Sequence, residues 1–95
     1  MNSQNLQNKL RDKFLKKGVK MKGPETVFFS KDTKIGKNVE IEPYVVFADK
    51  VQIGNNVKIG GGSGVVKNIE DNQTVMGYPA IPLKNFIRQN KKNNE

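Results

Sequence analysis

Large apolar side chains recur at every sixth residue over the middle of this chain. The recurring positions are Phe29, Ile35, Ile41, Phe47, Ile53, Ile59 and Val65. A second column lies two residues before each of these and contains Val27, Thr33, Val39, Val45, Val51, Val57 and Ser63. An α-helix repeats every 3.6 residues and a simple strand every 2 residues, so neither element produces a period of six.

Two inward positions separated by one outward residue describe a very short strand with alternating faces. The residues between these strands include Gly36, Asn38, Gly54, Asn55 and Asn56, which tolerate the backbone angles of tight corners. Three strands and three corners complete a triangular coil, and successive coils stack about 4.8 Å apart. The pattern therefore predicts a parallel β-helix of about two coils over residues 27–78.

The flanking segments predict two helices. Residues 1–26 read as an N-terminal amphipathic helix and a connector, and residues 79–95 as a C-terminal helix and tail that starts near Pro82. The predicted fold class is thus mainly β, a short β-helix between two α-helices. Because so few coils leave strand edges open at both ends, three outcomes are open: the helices cap the solenoid, copies of the chain associate, or the solenoid is only marginally folded.

The charge and composition of the chain limit the kinds of partner and cellular location that can be expected for it. The net charge is +8, but it comes from 15 Lys and only 2 Arg spread along a chain that also has 12 Asn. Arg is the preferred reader of phosphate and guanine, so we expect no specific nucleic-acid partner. There is no Cys, no apolar run of 18 residues and no apolar N-terminal stretch of the secretory kind. The expectation is a cytoplasmic protein without a membrane span.

The repeat resembles that of the hexapeptide-repeat transferases. The residue pairs on which this resemblance rests are Ile35-Gly36, Ile41-Glu42, Phe47-Ala48, Ile53-Gly54 and Ile59-Gly60. The resemblance implies a left-handed β-helix, a homotrimer, and transfer of acyl groups from coenzyme A or acyl carrier protein. Such proteins take part in cell-wall and lipid A precursor synthesis.

Two stretches are similar to different members of this family. Residues 6–59, above all 14–19 and 26–36, resemble the start of the acetyltransferase domain of the bifunctional N-acetylglucosamine-1-phosphate uridylyltransferase/glucosamine-1-phosphate acetyltransferases. Residues 60–88 resemble the C-terminal end of the UDP-3-O-acylglucosamine N-acyltransferases. The stretches that carry this resemblance are 61–67, 69–72 and 77–80. The resemblance implies a truncated domain, in which opening coils are joined to a closing segment.

The chain contains no His. N-acylation of an amino sugar needs a general base to deprotonate the attacking amine, and the family resemblance implies a His for that step. We therefore assign no catalytic residue and no metal ligand. Exposed carboxylates such as Glu40, Glu42 and Asp49 are poor substitutes, because their ordinary pKa lies near 4.

Acyl-donor contacts are predicted from the glycine-rich segment and the closing motifs. Backbone N–H groups in the segment could approach a pantetheine arm or a phosphate, although a tight solenoid corner explains the same glycines. The candidate contacts are Gly62, Ser63, Gly64, Lys67, Gly77, Pro79, Ala80, Lys84 and Arg88.

Three hypotheses remain open from sequence alone. The first is a truncated acyltransferase-family protein related to the UDP-amino-sugar N-acyl and acetyltransferases, without its catalytic His. The second is a non-catalytic trimerising module or the product of a remnant gene. The third, supported only by charge, is a basic nucleic-acid binder.

Overall fold

Short parallel strands stacked in three columns form the body of the protein. The computed structural model describes residues 3–93. The elements are α1 (Ser3–Lys17), β1 (Lys20–Met21), a 3₁₀ turn (Pro24–Thr26), β2 (Lys34–Ile35), β3 (Glu40–Ile41), β4 (Val46–Phe47), β5 (Gln52–Ile53), β6 (Lys58–Ile59), β7 (Gly64–Val65), β8 (Thr74–Met76), β9 (Ile81–Pro82) and α2 (Leu83–Asn93).

The strands line three faces of the coil. The long face contains β1, β3, β6, β8 and β9 in that order. The apolar face contains β4 and β7 and is extended by a bridge from Phe28 to Val46. The third face contains β2 and β5 and is extended by a bridge from Ile53 to Ile69. Parallel pairing on every face gives the stacked layers that a hexapeptide repeat implies.

Both predicted inward columns are buried, which confirms the six-residue pattern. The exposed fraction is 5% or less at every one of the fourteen positions. Thr33 and Ser63 are the polar members, and each satisfies its hydroxyl internally. The Thr33 Oγ1 accepts a hydrogen bond from the Ser30 amide, and the Ser63 Oγ donates one to the Gly60 carbonyl. The hydrophobic effect over these stacked columns holds the coils together.

The stack is deeper than the predicted two coils. On the long face β1, β3, β6 and β8 form four parallel layers. The sequence count missed the last layer because its coil is shorter: Lys58 pairs with Thr74, sixteen positions on, whereas Glu40 pairs with Lys58, eighteen positions on. Ile69 and Val75 are buried core residues that continue the spacing of the second column in the sequence, but they pair with Ile53 and Ile59 of the first column, sixteen positions earlier.

Helix α1 caps the N-terminal end. Leu10 and Phe14 are buried against the first coil, and the Phe14 ring lies 4.7 Å from that of Phe29. Polar side chains of α1 bond to the free edge of that coil. Gln7 both donates to the carbonyl and accepts from the amide of Phe29, and Lys17 donates to the Ile35 carbonyl. The expected capping by a helix is therefore present at this end.

The C-terminal end is closed on two faces. Strand β9 pairs antiparallel with β8 on the long face, and α2 packs against both strands. Below the apolar face, the Gly64 amide donates to the Gly77 carbonyl and the Ala80 amide donates to the Gly64 carbonyl. Residues 94 and 95 of the predicted tail lie outside the described residues. Neither helix in the described part of the chain is long and apolar enough to span a bilayer.

Candidate functional site

A groove of about 600 Å³ lies on the outer surface of the long face. Outward side chains of successive layers form its walls, because alternate residues of each strand point away from the core. One column runs Glu40, Lys58, Thr74, and the next runs Glu42, Gly60, Met76. Tyr44 and Leu83 stand at its two sides.

Three consecutive glycines, Gly60, Gly61 and Gly62, line this groove. A Cβ on Gly60 would approach the Met76 side chain to 2.6 Å, so that side chain already covers Gly60. A Cβ on Gly61 would sit 3.4 Å from the Pro43 carbonyl, and one on Gly62 would meet no atom within 4 Å. Open space for a ligand therefore lies beside Gly62.

The carboxylates of the groove are tied to lysines. Glu42 Oε1 lies 3.0 Å from Lys22 Nζ, and Glu40 Oε1 lies 4.0 Å from Lys20 Nζ. The hydrogen bond that Lys22 donates to Glu42, together with the negative charge of that carboxylate, raises the pKa of Lys22, so this lysine stays protonated at neutral pH. A carboxylate that is held in an ion pair is a weak acceptor for the proton of an attacking amine. Glu42 is thus poorly suited to replace a catalytic His.

The predicted acyl-donor residues occupy several places. Gly62 lines the groove, with φ of +72°. Ser63 points into the core, where its hydroxyl is already bonded. Gly64, Gly77 and Ala80 are joined by backbone hydrogen bonds below the apolar face. Besides Gly62, the exposed candidates are Lys67, Pro79, Lys84 and Arg88. The structure brings the Gly62–Gly64 segment beside the 77–80 loop, and acyl-donor contact itself stays a prediction.

The apolar face was not identified from the sequence. Phe28 and Val46 are each 46% exposed and lie in the same column, and Tyr78, 73% exposed, covers Gly64 in the next layer. A Cβ on Gly64 would fall 2.6 Å from Cγ of Tyr78, so the ring occupies the space of the absent side chain. Val66 adds a further exposed apolar group beside the column.

The other two faces carry polar residues at the corresponding positions. These are Lys20, Glu40, Lys58 and Thr74 on the long face, and Lys34, Gln52 and Asn68 on the third face. The three faces can be distinguished in the sequence by comparing outward residues that are eighteen positions apart, rather than six, because such residues lie on the same face.

Residues 32–67 match the family described as bacterial transferase hexapeptide (six repeats). The bifunctional protein GlmU of Zymomonas mobilis subsp. mobilis is 41% identical over 69 residues, covering 67% of this chain and 15% of that protein. The bifunctional protein GlmU of Paramagnetospirillum magneticum is 46% identical over 56 residues, or 59% of this chain and 12% of that protein. The bifunctional protein GlmU of Limosilactobacillus reuteri is 37% identical over 60 residues, which cover 63% of this chain and 13% of that protein. No solved structure matches the chain.

The expected hexapeptide-repeat resemblance is confirmed for residues 32–67, as is partial similarity to a bifunctional enzyme. The chain spans only a small part of the length of these relatives. The resemblance of residues 60–88 to the N-acyltransferases of lipid A synthesis stays a prediction.

Proposed function

We propose that this chain, whose residues 32–67 form a transferase hexapeptide repeat, has kept the scaffold of that family without a catalytic base and acts as a homotrimeric assembly module. Its coils are left-handed in this proposal, and its ancestry lies among the acyltransferases of UDP-amino-sugar metabolism. One observation carries the proposal: one outer face of the solenoid is apolar, and the other two are polar.

The apolar face is suited to contact between copies. Phe28, Val46 and Tyr78 are large, partly exposed and contiguous in the stack, whereas single exposed apolar residues are common on protein surfaces and need no partner. Tyr44, 72% exposed, stands at the corner between this face and the groove. Aromatic side chains of this kind are enriched at protein interfaces.

The absence of a general base argues against turnover. The sequence has no His, and Glu42 in the groove is engaged by Lys22. A module that associates without catalysis accounts for both facts.

The test is the mass of the protein in solution, by sedimentation or light scattering. We expect the wild type to have three times the 10.7 kDa mass of one chain. Val46→Glu should be monomeric with an unchanged circular dichroism spectrum, because it places a charge in the apolar face. The matched control is Gln52→Glu at the outward position of the third face, which should stay trimeric. A wild type that is monomeric at about 50 μM, well above the Kd of a stable assembly, would overturn the proposal.

An enzymatic assay tests the non-catalytic part separately. We expect no acyl transfer above buffer from an acetyl-coenzyme A thioester to glucosamine 1-phosphate. We also expect no acyl transfer above buffer from an acyl carrier protein thioester to UDP-3-O-acylglucosamine. Turnover that Glu42→Gln abolishes would show instead that the carboxylate serves as the base.

A second candidate function is acyl-donor binding without transfer. It is favoured by the open space beside Gly62 in the groove that Lys58 also lines. The described residues show no carboxylate within ion-pair distance of Lys58. Coenzyme A binding measured by calorimetry should weaken in Lys58→Glu and remain in Lys34→Glu on the third face. Equal affinity in the two variants would reject this site.

A further inference from the structure

The net charge of the protein is concentrated in its N-terminal cap, residues 3–22, which contains α1 and β1. The cap has seven basic residues and one acidic residue, Asp12, whereas residues 23–66 have five basic and five acidic residues. The basic residues of the cap are Lys9, Arg11, Lys13, Lys16, Lys17, Lys20 and Lys22. Lysines thus occur along the whole chain, but acidic residues balance them in the coils and leave the cap strongly positive.

Four of the basic side chains in the cap contact the first coil. Arg11 and Lys17 donate hydrogen bonds to backbone carbonyls of that coil. Lys20 and Lys22 lie beside glutamates of the long face. The charges of these four side chains are therefore partly used within the chain itself.

The other three lysines form a stripe along the outer surface of α1. Lys9, Lys13 and Lys16 occupy positions i, i+4 and i+7, which lie on one side of a helix. All three are exposed, whereas Leu10 and Phe14 are buried against the first coil. The stripe therefore faces away from the coils, at the N-terminal end of the β-helix.

The lysine stripe is electrostatically unfavourable in the free protein. Lys16 Nζ lies 3.0 Å from Asp12 Oδ2, but the described residues show no carboxylate within ion-pair distance of Lys9 or Lys13. Like charges four residues apart on a helix repel each other. An anionic surface outside the chain would compensate this repulsion.

Assembly would multiply the effect of the stripe. A threefold rotation leaves the N-terminal ends of all subunits on the same side of the assembly. The proposed trimer therefore presents three lysine stripes to one surface. Several weak contacts to a single surface reinforce each other, because the later ones form within an assembly that is already bound.

We infer that the stripe of Lys9, Lys13 and Lys16 docks the N-terminal end of the protein on the surface of an anionic lipid bilayer; the combined effect of three stripes rests on the proposed trimer. Each lysine near such a surface raises the affinity about fivefold. Leu15, 43% exposed on the same helix, is an apolar side chain that the bilayer interface can accommodate.

A nucleic acid is a poorer match for this surface. The exposed side chains in the described part of α1 include neither Arg nor an aromatic residue. Arg is the residue that binds phosphate groups bidentately, and aromatic rings are the groups on which bases stack. The exposed lysines supply positive charge alone, which is sufficient for a lipid surface.

Cosedimentation with sucrose-loaded vesicles measures the docking. We expect the wild type to sediment with vesicles of equimolar phosphatidylglycerol and phosphatidylcholine, and to stay in the supernatant with vesicles of phosphatidylcholine alone. The triple variant Lys9→Gln/Lys13→Gln/Lys16→Gln removes the stripe but keeps good helix formers, and it should bind at least about tenfold more weakly. Circular dichroism and light scattering verify that this variant folds and assembles.

Two controls separate the position of the charges from their number. Lys50→Gln/Lys67→Gln/Lys84→Gln removes three exposed lysines from the later coils and α2, and should bind within about threefold of the wild type at about 0.1 M salt, because distant charges are screened. The monomeric Val46→Glu variant presents one stripe and should bind at least about tenfold more weakly than Gln52→Glu, which has the same charge and stays trimeric.

Equal binding to both kinds of vesicle, or by the wild type and the stripe variant, would overturn the inference. An equal loss in the control triple variant would do the same, because total charge would then decide. A DNA duplex that displaces the protein from vesicles at equal phosphate concentration would assign the stripe to nucleic acid instead. A trimeric wild type that ignores anionic vesicles refutes the lipid inference alone. A monomeric wild type whose vesicle binding still requires the three lysines refutes the proposed assembly alone.

Discussion

Arg11 Nε donates a hydrogen bond of 3.0 Å to the carbonyl oxygen of Val27, across the junction between helix α1 and the first coil. The same guanidinium donates to the Glu25 carbonyl and lies 5.0 Å from the centroid of the Phe28 ring. Arg11 is 8% exposed, so it seals the upper edge of the β-helix with a buried polar group. An edge carbonyl that would otherwise be left without a donor is satisfied by this side chain.

Replacement of Arg11 by Met tests this contact. The variant keeps much of the aliphatic volume and leaves the Val27 carbonyl without its donor, so we expect a loss of about 1–3 kcal/mol of unfolding free energy. Urea denaturation measures the change. Lys9→Met, an exposed substitution on the same helix, should lie within about 0.5 kcal/mol of the wild type. Equal stabilities for the two variants would show that the edge carbonyls are adequately solvated.

Gly54 lies where two successive coils approach each other closely. A Cβ at this position would be 2.6 Å from the Asp71 amide nitrogen, which is backbone and cannot swing away. We expect Gly54→Ala to cost about 1–3 kcal/mol through forced separation of the coils. Gly61→Ala is the control, because its Cβ would make an ordinary 3.4 Å contact. A stability for Gly54→Ala close to that of Gly61→Ala would contradict this packing.

Asn56 combines a left-handed backbone with a ladder of side-chain hydrogen bonds. Its φ is +59°, its Oδ1 accepts from Asn38 at 2.9 Å, and its Nδ2 donates to Asn72 at 3.1 Å. Asn56→Gly removes the ladder but permits the backbone, so we expect a loss of about 0.5–1.5 kcal/mol. Asn56→Ala also meets the steric penalty of this conformation, about 1–2 kcal/mol more. Thermal unfolding should rank wild type, Gly and Ala in descending order, and any other ranking rejects this explanation.

Acid should weaken the corner at Asp32. The hydrogen bond from Ser30, followed by that from the Lys50 amide, lowers the pKa of the Asp32 carboxyl. A lowered folded-state pKa stabilises the protein above the unfolded value of about 3.9, and this contribution disappears as the pH falls through the folded pKa. We therefore expect the Tm of Asp32→Asn to fall less than that of the wild type between about pH 5 and pH 2. The Tm of Glu25→Gln should change with pH as that of the wild type does. If the Tm of Asp32→Asn changes in the same way, the Asp32 corner does not contribute to the loss of stability in acid.

The solenoid was predictable because its six-residue period is a direct consequence of three-sided coiling. Every residue from Val27 to Val65 in the two inward columns is buried as predicted. The predicted range of 27–78 includes Ile69 and Val75, but their coil was not counted, because a sixteen-residue coil moves these residues from the spacing of the second column into the first. Strand β1 was missed because Lys20–Met21 lies before the repeat and pairs twenty residues on with Glu40–Ile41.

Outward residues were harder to interpret than inward ones. The groove depends on the juxtaposition of Gly60 with Glu42 and Met76, which become neighbours only when the coils are stacked in register. The capping contacts of Gln7 and Arg11 likewise depend on where α1 docks. A six-residue pattern carries no information on either arrangement, so the sequence predicted which residues form the core but not which surface can bind.

The corner ladder gives this architecture a simple rule for changing its height during evolution. The Asn56 amide donates to the Lys37 carbonyl, and Asn38 and Asn56, eighteen residues apart, occupy equivalent corners. In-frame loss of residues 38–55 would join Lys37 directly to Asn56, and the remaining coils would keep their inward columns in phase. Recombination between repeats could therefore lengthen or shorten such a protein by one complete layer at a time, whereas a change of one residue within a strand would turn its core side chains outward.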